Sequence, residues 1–211
     1  MRKLEILALT LAAAGAISAV TASSAFSNYN IAGQGAGGSV VASQVSTDKN
    51  KFVTDVGSVT CSVAKFEGHQ STETGLTLTV HPTYGGCSLA GFVSTTVSTT
   101  SCSYRFETPE TEPVHANITI LCSTGTSILI KESLTGCEVS VPAQGSLSTV
   151  SFVNSAPNVA IKAEVTGITY TDNGKCPNTR EGHTSSTGSY SGSSVAAGFT
   201  SSGVANEFMV T

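Results

Sequence analysis

From about Lys51 onward, apolar residues alternate with Ser, Thr or charged residues, the period-2 signature of strands with one buried face. Val59, Cys61 and Val63 share one parity, and so do Leu76, Leu78 and Val80. The same holds for Cys102, Tyr104 and Phe106, and for Val114, Ala116, Ile118, Ile120 and Cys122. Cys137, Val139 and Val141 follow, then Val159, Ile161, Ala163 and Val165, then Ile168 and Tyr170. Gly and Pro punctuate these runs, and after residue 50 no stretch of a dozen residues carries a helical stripe. The pattern predicts an all-β domain over residues 51–211: a disulfide-bonded antiparallel β-sandwich, immunoglobulin-like or related. Its last strands are expected over Tyr190–Phe199 and Val204–Val210.

The clearest hairpin joins Cys102–Glu107 to Val114–Cys122 across Thr-Pro-Glu-Thr-Glu-Pro. One register opposes Phe106 to Ile118, Tyr104 to Ile120 and Cys102 to Cys122. It leaves Glu107 with Asn117 and Arg105 with Thr119 on the outer side. Gly75–Cys87 and Gly125–Cys137 echo each other at an offset of 50 residues, each a strand, a polar turn with glycine and a cysteine. Two or three such copies would be related hairpins and too few for a solenoid.

The six cysteines are Cys61, Cys87, Cys102, Cys122, Cys137 and Cys176. None forms Cys-x-x-Cys, so zinc-ribbon and thioredoxin-like readings find no support. An even number in an exported chain predicts three disulfides. Cys61, Cys102, Cys122 and Cys137 fall at inward strand parity, whereas Cys87 and Cys176 follow turn glycines and are expected in loops. Two pairings stay open. Cys87–Cys102 and Cys122–Cys137 would close equal spans of 15 residues and leave Cys61–Cys176. The hairpin register favours Cys102–Cys122 instead.

Export is read from the N-terminus. Arg2 and Lys3 precede an apolar run from Leu4 to Val20, and small residues lead to Ala25. These are the parts of a signal peptide, a helix over 1–25 cleaved near Ala25, with a retained anchor as the alternative. Residues 26–50 read as a flexible Gly/Ser/Ala-rich lead-in. No later run is long enough to span a bilayer as a helix, so no membrane span is expected in the mature chain. Composition fits a secreted or cell-surface protein. Only 11% of the 211 residues are charged, Trp is absent, and Ser and Thr exceed a quarter of the chain. With Lys+Arg 10 against Asp+Glu 14, a basic nucleic-acid binder is excluded.

The order Tyr-Gly-Gly-Cys87, Cys102-Ser-Tyr, Ile-Leu-Cys122, Gly-Cys137-Glu-Val-Ser-Val-Pro-Ala-Gln carries a resemblance. It runs on through Leu147-Ser-Thr-Val-Ser-Phe and Val165-Thr-Gly-Ile-Thr-Tyr-Thr to Lys-Cys176-Pro. Over roughly residues 55–200 the chain resembles a group of uncharacterised secreted, cysteine-containing β-rich proteins of actinobacteria. The resemblance implies export, an extracytoplasmic β-fold and disulfides. It implies no activity, ligand or catalytic residue.

Motifs for chemistry are sparse. His69, His81, His115 and His183 are scattered singly, with His81 and His115 at outward parity and His69 and His183 in Gly/Ser-rich turns. No nucleophile elbow and no phosphate loop occurs. Asp172-Asn173-Gly174 admits a calcium reading but reads first as a turn. No catalytic residue, metal ligand or cofactor is therefore assigned. Thr77, Thr79, Thr169 and Thr171 offer outward hydroxyl rows as a surface for binding, and Val93–Thr100 adds another. Asn117-Ile-Thr119 matches a glycosylation sequon, idle in a bacterium that does not glycosylate Asn.

These features favour a secreted or cell-surface, non-enzymatic binding or structural module that contacts glycan, cell wall or another surface protein. One alternative is a secreted hydrolase with a dispersed site drawn from the turn acids Glu107, Glu110 and Glu112 and from His81 or His183. Its mark would be two carboxylates and a histidine converging in a cleft. Another is a self-assembling extracellular subunit offering its C-terminal strand, ending Phe208-Met-Val-Thr, as an open edge.

Overall fold

The computed structural model describes residues 29–31, 38–70, 74–107, 115–177 and 179–211. The expected signal helix, Glu110 and Glu112 lie outside the described residues. Every described regular element is a strand. In chain order they are β1 (Tyr29–Ile31), β2 (Gly38–Gln44), β3 (Asn50–Thr54), β4 (Gly57–Gln70), β5 (Thr74–Gly75) and β6 (Thr77–Leu89). Next come β7 (Val93–Ser98), β8 (Cys102–Glu107), β9 (His115–Cys122), β10 (Ser127–Glu132) and β11 (Glu138–Pro142). The chain ends with β12 (Gln144–Ser155), β13 (Asn158–Asn173), β14 (Glu181–Thr200), β15 (Ala205–Asn206) and β16 (Phe208–Val210). The all-β expectation holds.

All pairings are antiparallel, and they close. One ring runs β6–β8–β9–β12–β13–β14–β2–β4 and returns from β4 to β6. A second runs β4–β6–β7–β10–β11–β13–β14–β3 and returns from β3 to β4. The four long strands β4, β6, β13 and β14 belong to both, and four shorter strands complete each ring. The result is two barrel sections stacked end to end, the first ring taken as the upper and the second as the lower. Two separate sheets with free edges, as in the expected sandwich, are not what these pairings describe. The alternation was legible, but alternation is the same in a sandwich and a barrel. Closure depends on which long strands meet, and β4 with β6 decides it.

Further expectations change. The lead-in over 26–50 contributes β1 and β2, and β2 is a full barrel strand wedged between β14 and β4. Its burial alternates, with Gly38, Val40 and Ala42 inside. Gly38, Ser39 and Ser43 conceal a strand because small residues suffice where long neighbours crowd the interior. Cys87 sits within β6, not in a loop, and His69 and His183 sit within β4 and β14 rather than in turns. The repeat halves fall on β6 and β10, which are separated by β7 and do not pair.

The hairpin register is as expected: Cys102 opposes Cys122, Tyr104 Ile120, Phe106 Ile118, Arg105 Thr119 and Glu107 Asn117. Cys102–Cys122 is a disulfide, as are Cys61–Cys87 between β4 and β6, and Cys137–Cys176. The equal-span pairing is therefore corrected. Cys87 and Cys102 are never opposed, because β6 meets β8 through Thr77–Val80 at its other end.

A small sheet, β16–β1–β5, closes one end of the upper barrel. Tyr29 and Phe208 are fully buried there, and Tyr29 meets Phe152 edge-on at 5.7 Å. β16 is not an open edge. Asn154 donates from Nδ2 to the Val210 carbonyl (2.7 Å) and accepts from the Val210 N–H at Oδ1 (3.0 Å), while Phe208 N–H bonds the Pro157 carbonyl. The side on which a neighbouring subunit would add a strand is already occupied.

Candidate functional site in the barrel interior

Inward residues of a well-filled barrel should be inaccessible. Val59, Val80, Val150, Val159 and Val165 obey this. Phe52, Phe66, Tyr84, Tyr104, Ile161, Ala163 and Tyr190 pack against the same core yet keep accessible surface. Their accessible surface faces an internal space. That cavity measures about 110 Å³, and Phe66, Tyr104, Ile118, Ile161, Ala163 and Tyr190 are among the residues around it. The cavity sits where Gly192 and Ala163, paired across β13 and β14, withhold side-chain bulk.

The walls are apolar except for one polar strip and Ser194. The Tyr84 and Tyr104 hydroxyls lie 3.1 Å apart. The Tyr190 hydroxyl donates to Asn50 Oδ1. Asn50, only 2% exposed, donates from Nδ2 to Gln44 Oε1 (2.6 Å), and Gln44 Nε2 donates to the Ser62 carbonyl (3.3 Å). A β-carbon on Gly192 would overlap Asn50 Oδ1, so glycine lets β14 approach this amide. Burial pushes the Tyr104 phenol up to about 12 and raises Tyr84 and Tyr190 well above the ordinary tyrosine value. All three therefore stay protonated and neutral. Aromatic edges brace the strip: Phe66 with Tyr84 at 6.0 Å, and Tyr84 with Tyr190 at 6.4 Å.

A second cluster lies at the far end of the lower barrel. His183 Nδ1 lies 2.8 Å from Asp172 Oδ2, and its Nε2 lies 3.8 Å from Asp55 Oδ2. Tyr170 donates to Asp55 Oδ1. Asp172 also accepts from Gly174 N–H and Thr179 Oγ1, both at 2.8 Å. Burial would raise the Asp172 carboxyl, but the bonds from Thr179, Gly174 and His183 outweigh it and the value is lowered. This is a convergence of two carboxylates and a histidine. Yet both imidazole nitrogens are turned toward carboxylates, so neither faces a hydroxyl nucleophile as a triad requires. Among the described residues, no group of three His, Cys, Asp or Glu side chains is placed to hold a metal ion. The arrangement ties the β13–β14 loop and the β3–β4 turn to the barrel; Asp172 and Asn173 are the last residues of β13 rather than part of the expected turn, and the loop begins at Gly174, at φ 73°.

The threonines do not form one surface. Thr77 and Thr79 lie on β6, and Thr169 and Thr171 on β13, which is on the opposite side of the upper ring. Thr169 and Thr171 are bonded to Ser186 and Thr184 at 3.2 and 2.9 Å. In the Val93–Thr100 row, Thr95 points inward and is buried. His81 is exposed on β6, and Glu107 pairs with Arg105 at 2.7 Å, so neither joins His183. Sequence inspection missed the tyrosine strip, because Tyr84, Tyr104 and Tyr190 stand on three strands far apart in the chain. Inward parity of Tyr104 was its one visible signal.

No helix among the described residues is long and apolar enough to cross a membrane. No protein-family model, curated protein or solved structure matches the chain.

Proposed function

We propose that the chain is an exported, non-enzymatic binding protein whose barrel interior holds one small, uncharged, largely apolar molecule. The observation that carries this reading is the cavity of about 110 Å³ among inward side chains, with one polar strip and Ser194 on its wall. Barrels of about eight strands are near the size at which side chains either fill the interior or leave room for one small ligand. An apolar space of about 150 Å³ accepts a benzene-sized guest, which sets the scale here at about four to five heavy atoms. Three disulfides are compatible with an extracellular location. The basic, apolar, small-residue N-terminus and the resemblance to secreted actinobacterial proteins support export.

The earlier expectation of a glycan, cell-wall or protein ligand placed it on outward threonine rows; those rows stand on opposite sides of the ring. Methyl NMR titration with uncharged compounds of about four to five heavy atoms tests the interior site. Saturable shifts on Ile118, Val150 and Ile161 are expected. Shifts confined to outward residues, or saturable binding to insoluble glycan alone, would refute it. The hydrolase reading is favoured only by the convergence of Asp55, Asp172 and His183. Turnover of ester, amide or glycoside substrates that disappears in His183→Ala would establish it.

A further inference from the structure

Three successive inward positions of β14, Tyr190, Gly192 and Ser194, line the cavity. Tyr190 belongs to the polar strip, and its hydroxyl is committed to Asn50. Gly192 carries no side chain, so Asn50 approaches the strand there. Ser194 stands one inward position further on, opposite Ile161 of β13, at the border of the space that Gly192 and Ala163 leave. It is only 6% exposed, yet its hydroxyl makes no hydrogen bond to a described residue. The other buried polar or charged side chains among the described residues are all bonded within the chain. Thr95 donates to the Val93 carbonyl (3.0 Å) and Gln70 to the Tyr29 carbonyl (2.7 Å), and the bonds of Asn50, Glu132 and Asp172 are equally direct. The Tyr29 hydroxyl is unpartnered too, but it lies under the end sheet and does not line the cavity. A hydroxyl buried without a partner costs the fold free energy. At Ser194 that group faces the one enterable space in the barrel core.

We infer that Ser194 anchors the single oxygen of a compact neutral guest, an alcohol, aldehyde or ketone, whose hydrocarbon part lies over Gly192 and Ala163. A serine hydroxyl both donates and accepts, so it serves a carbonyl or an alcohol equally. The guest class is therefore set by the presence of one polar atom and not by its donor or acceptor character. No Lys, Arg, His, Asp or Glu is among the described residues lining the cavity, so a carboxylate or an ammonium would be buried there without a counter-charge. This inference rests on the interior-site reading above, and it names the guest's class and the residue that holds it.

The test uses the intact, disulfide-bonded protein and three probes of one shape, butanone, 2-butanol and 2-methylbutane, titrated by methyl NMR. Affinities are compared as ratios to 2-methylbutane, because a hydrocarbon leaves water more readily than its oxygen analogues. Ser194→Ala should weaken butanone and 2-butanol roughly tenfold, the loss of one buried hydrogen bond, and leave 2-methylbutane within about twofold. The same variant without guest should melt about 3 °C higher, because it removes an unpartnered buried hydroxyl. Ser194→Thr keeps the hydroxyl on a side chain suited to a strand. It should weaken all three probes through its added methyl while preserving their ratios. Ratios unchanged in Ser194→Ala, or a lowered Tm or failure to fold, would overturn the anchor while the interior site stands on the wild-type titration. Failure of all three probes to bind the wild type would instead overturn the interior site, and the anchor with it.

Discussion

Filling the space beside Ala163 should stabilise the protein and close the site. Ala163 is an inward residue of β13, half-buried, opposed to Gly192 on β14 and Val150 on β12. Ala163→Val adds two carbons at a strand position where a β-branched side chain is well suited. Burying two carbons contributes about 1.6 kcal/mol, and restricting the new side chain takes back about 0.5 kcal/mol. The net gain is about 1 kcal/mol, or about 3 °C in Tm for a domain of this size. The same carbons occupy ligand volume, so affinity for an uncharged guest of about four to five heavy atoms should fall roughly tenfold, equivalent to about 1.4 kcal/mol. Urea unfolding with the disulfides intact measures the first, and methyl NMR titration the second. Destabilisation by more than about 1 kcal/mol with affinity unchanged would show that the site is already filled, and the cavity argument would fail.

Other outcomes follow from the disulfides, from Glu132 and from His183. The sequence separations are 20 for Cys102–Cys122, 26 for Cys61–Cys87 and 39 for Cys137–Cys176, so paired Cys→Ala variants should lose about 3.3, 3.5 and 3.9 kcal/mol on the chain-entropy model. Denaturant unfolding checks that order, and a smallest loss at Cys137–Cys176 would contradict it. Glu132 accepts from Thr135 Oγ1 and from the N–H groups of Leu134, Thr135 and Cys137. The Thr135 hydroxyl most of all, with the backbone donors, holds its carboxyl down at about 2 against burial. A lowered folded-state value stabilises above the ordinary carboxylate range and is lost as pH falls toward about 2, so Glu132→Gln should flatten the acid limb of a stability–pH profile. An unchanged limb would remove Glu132 from the acid response. His183→Ala should cost about 2 kcal/mol by stripping a bond from buried Asp172, and should speed amide exchange in residues 174–181 while the barrel stays protected. Uniform acceleration across the chain would contradict a local clasp.

The local chemistry of this fold was legible in the sequence and its closure was not. Alternation located β8, β9 and β13, and the parity of Phe106, Tyr104 and Cys102 gave both the register and a disulfide, because cross-strand neighbours in a tight hairpin are set by adjacent sequence. β2 was hidden, since a Gly-, Ser- and Ala-rich strand lacks the bulky residues that announce one. The site was hidden for a related reason. Tyr84, Tyr190 and Asn50 become neighbours only after β3, β6 and β14 are carried around the barrel. His183 looked like a solvated turn residue, but it stands on β14 beside Asp172 on β13, between the Thr171–Thr184 and Asn173–Glu181 pairs where the register shifts. Threonine rows were the most visible pattern, yet they reflect half-exposed strands on opposite walls.

The central claim is an apolar, enterable space inside a closed barrel, with Tyr104 on its wall. Crystals of the disulfide-bonded protein exposed to xenon pressure test it most directly, because xenon enters dry apolar cavities of this size without a specific polar partner. The account predicts one xenon site inside the barrel among Phe66, Tyr104, Ile118 and Ala163. Xenon found only on the surface, or an interior occupied by well-packed side chains, would contradict it.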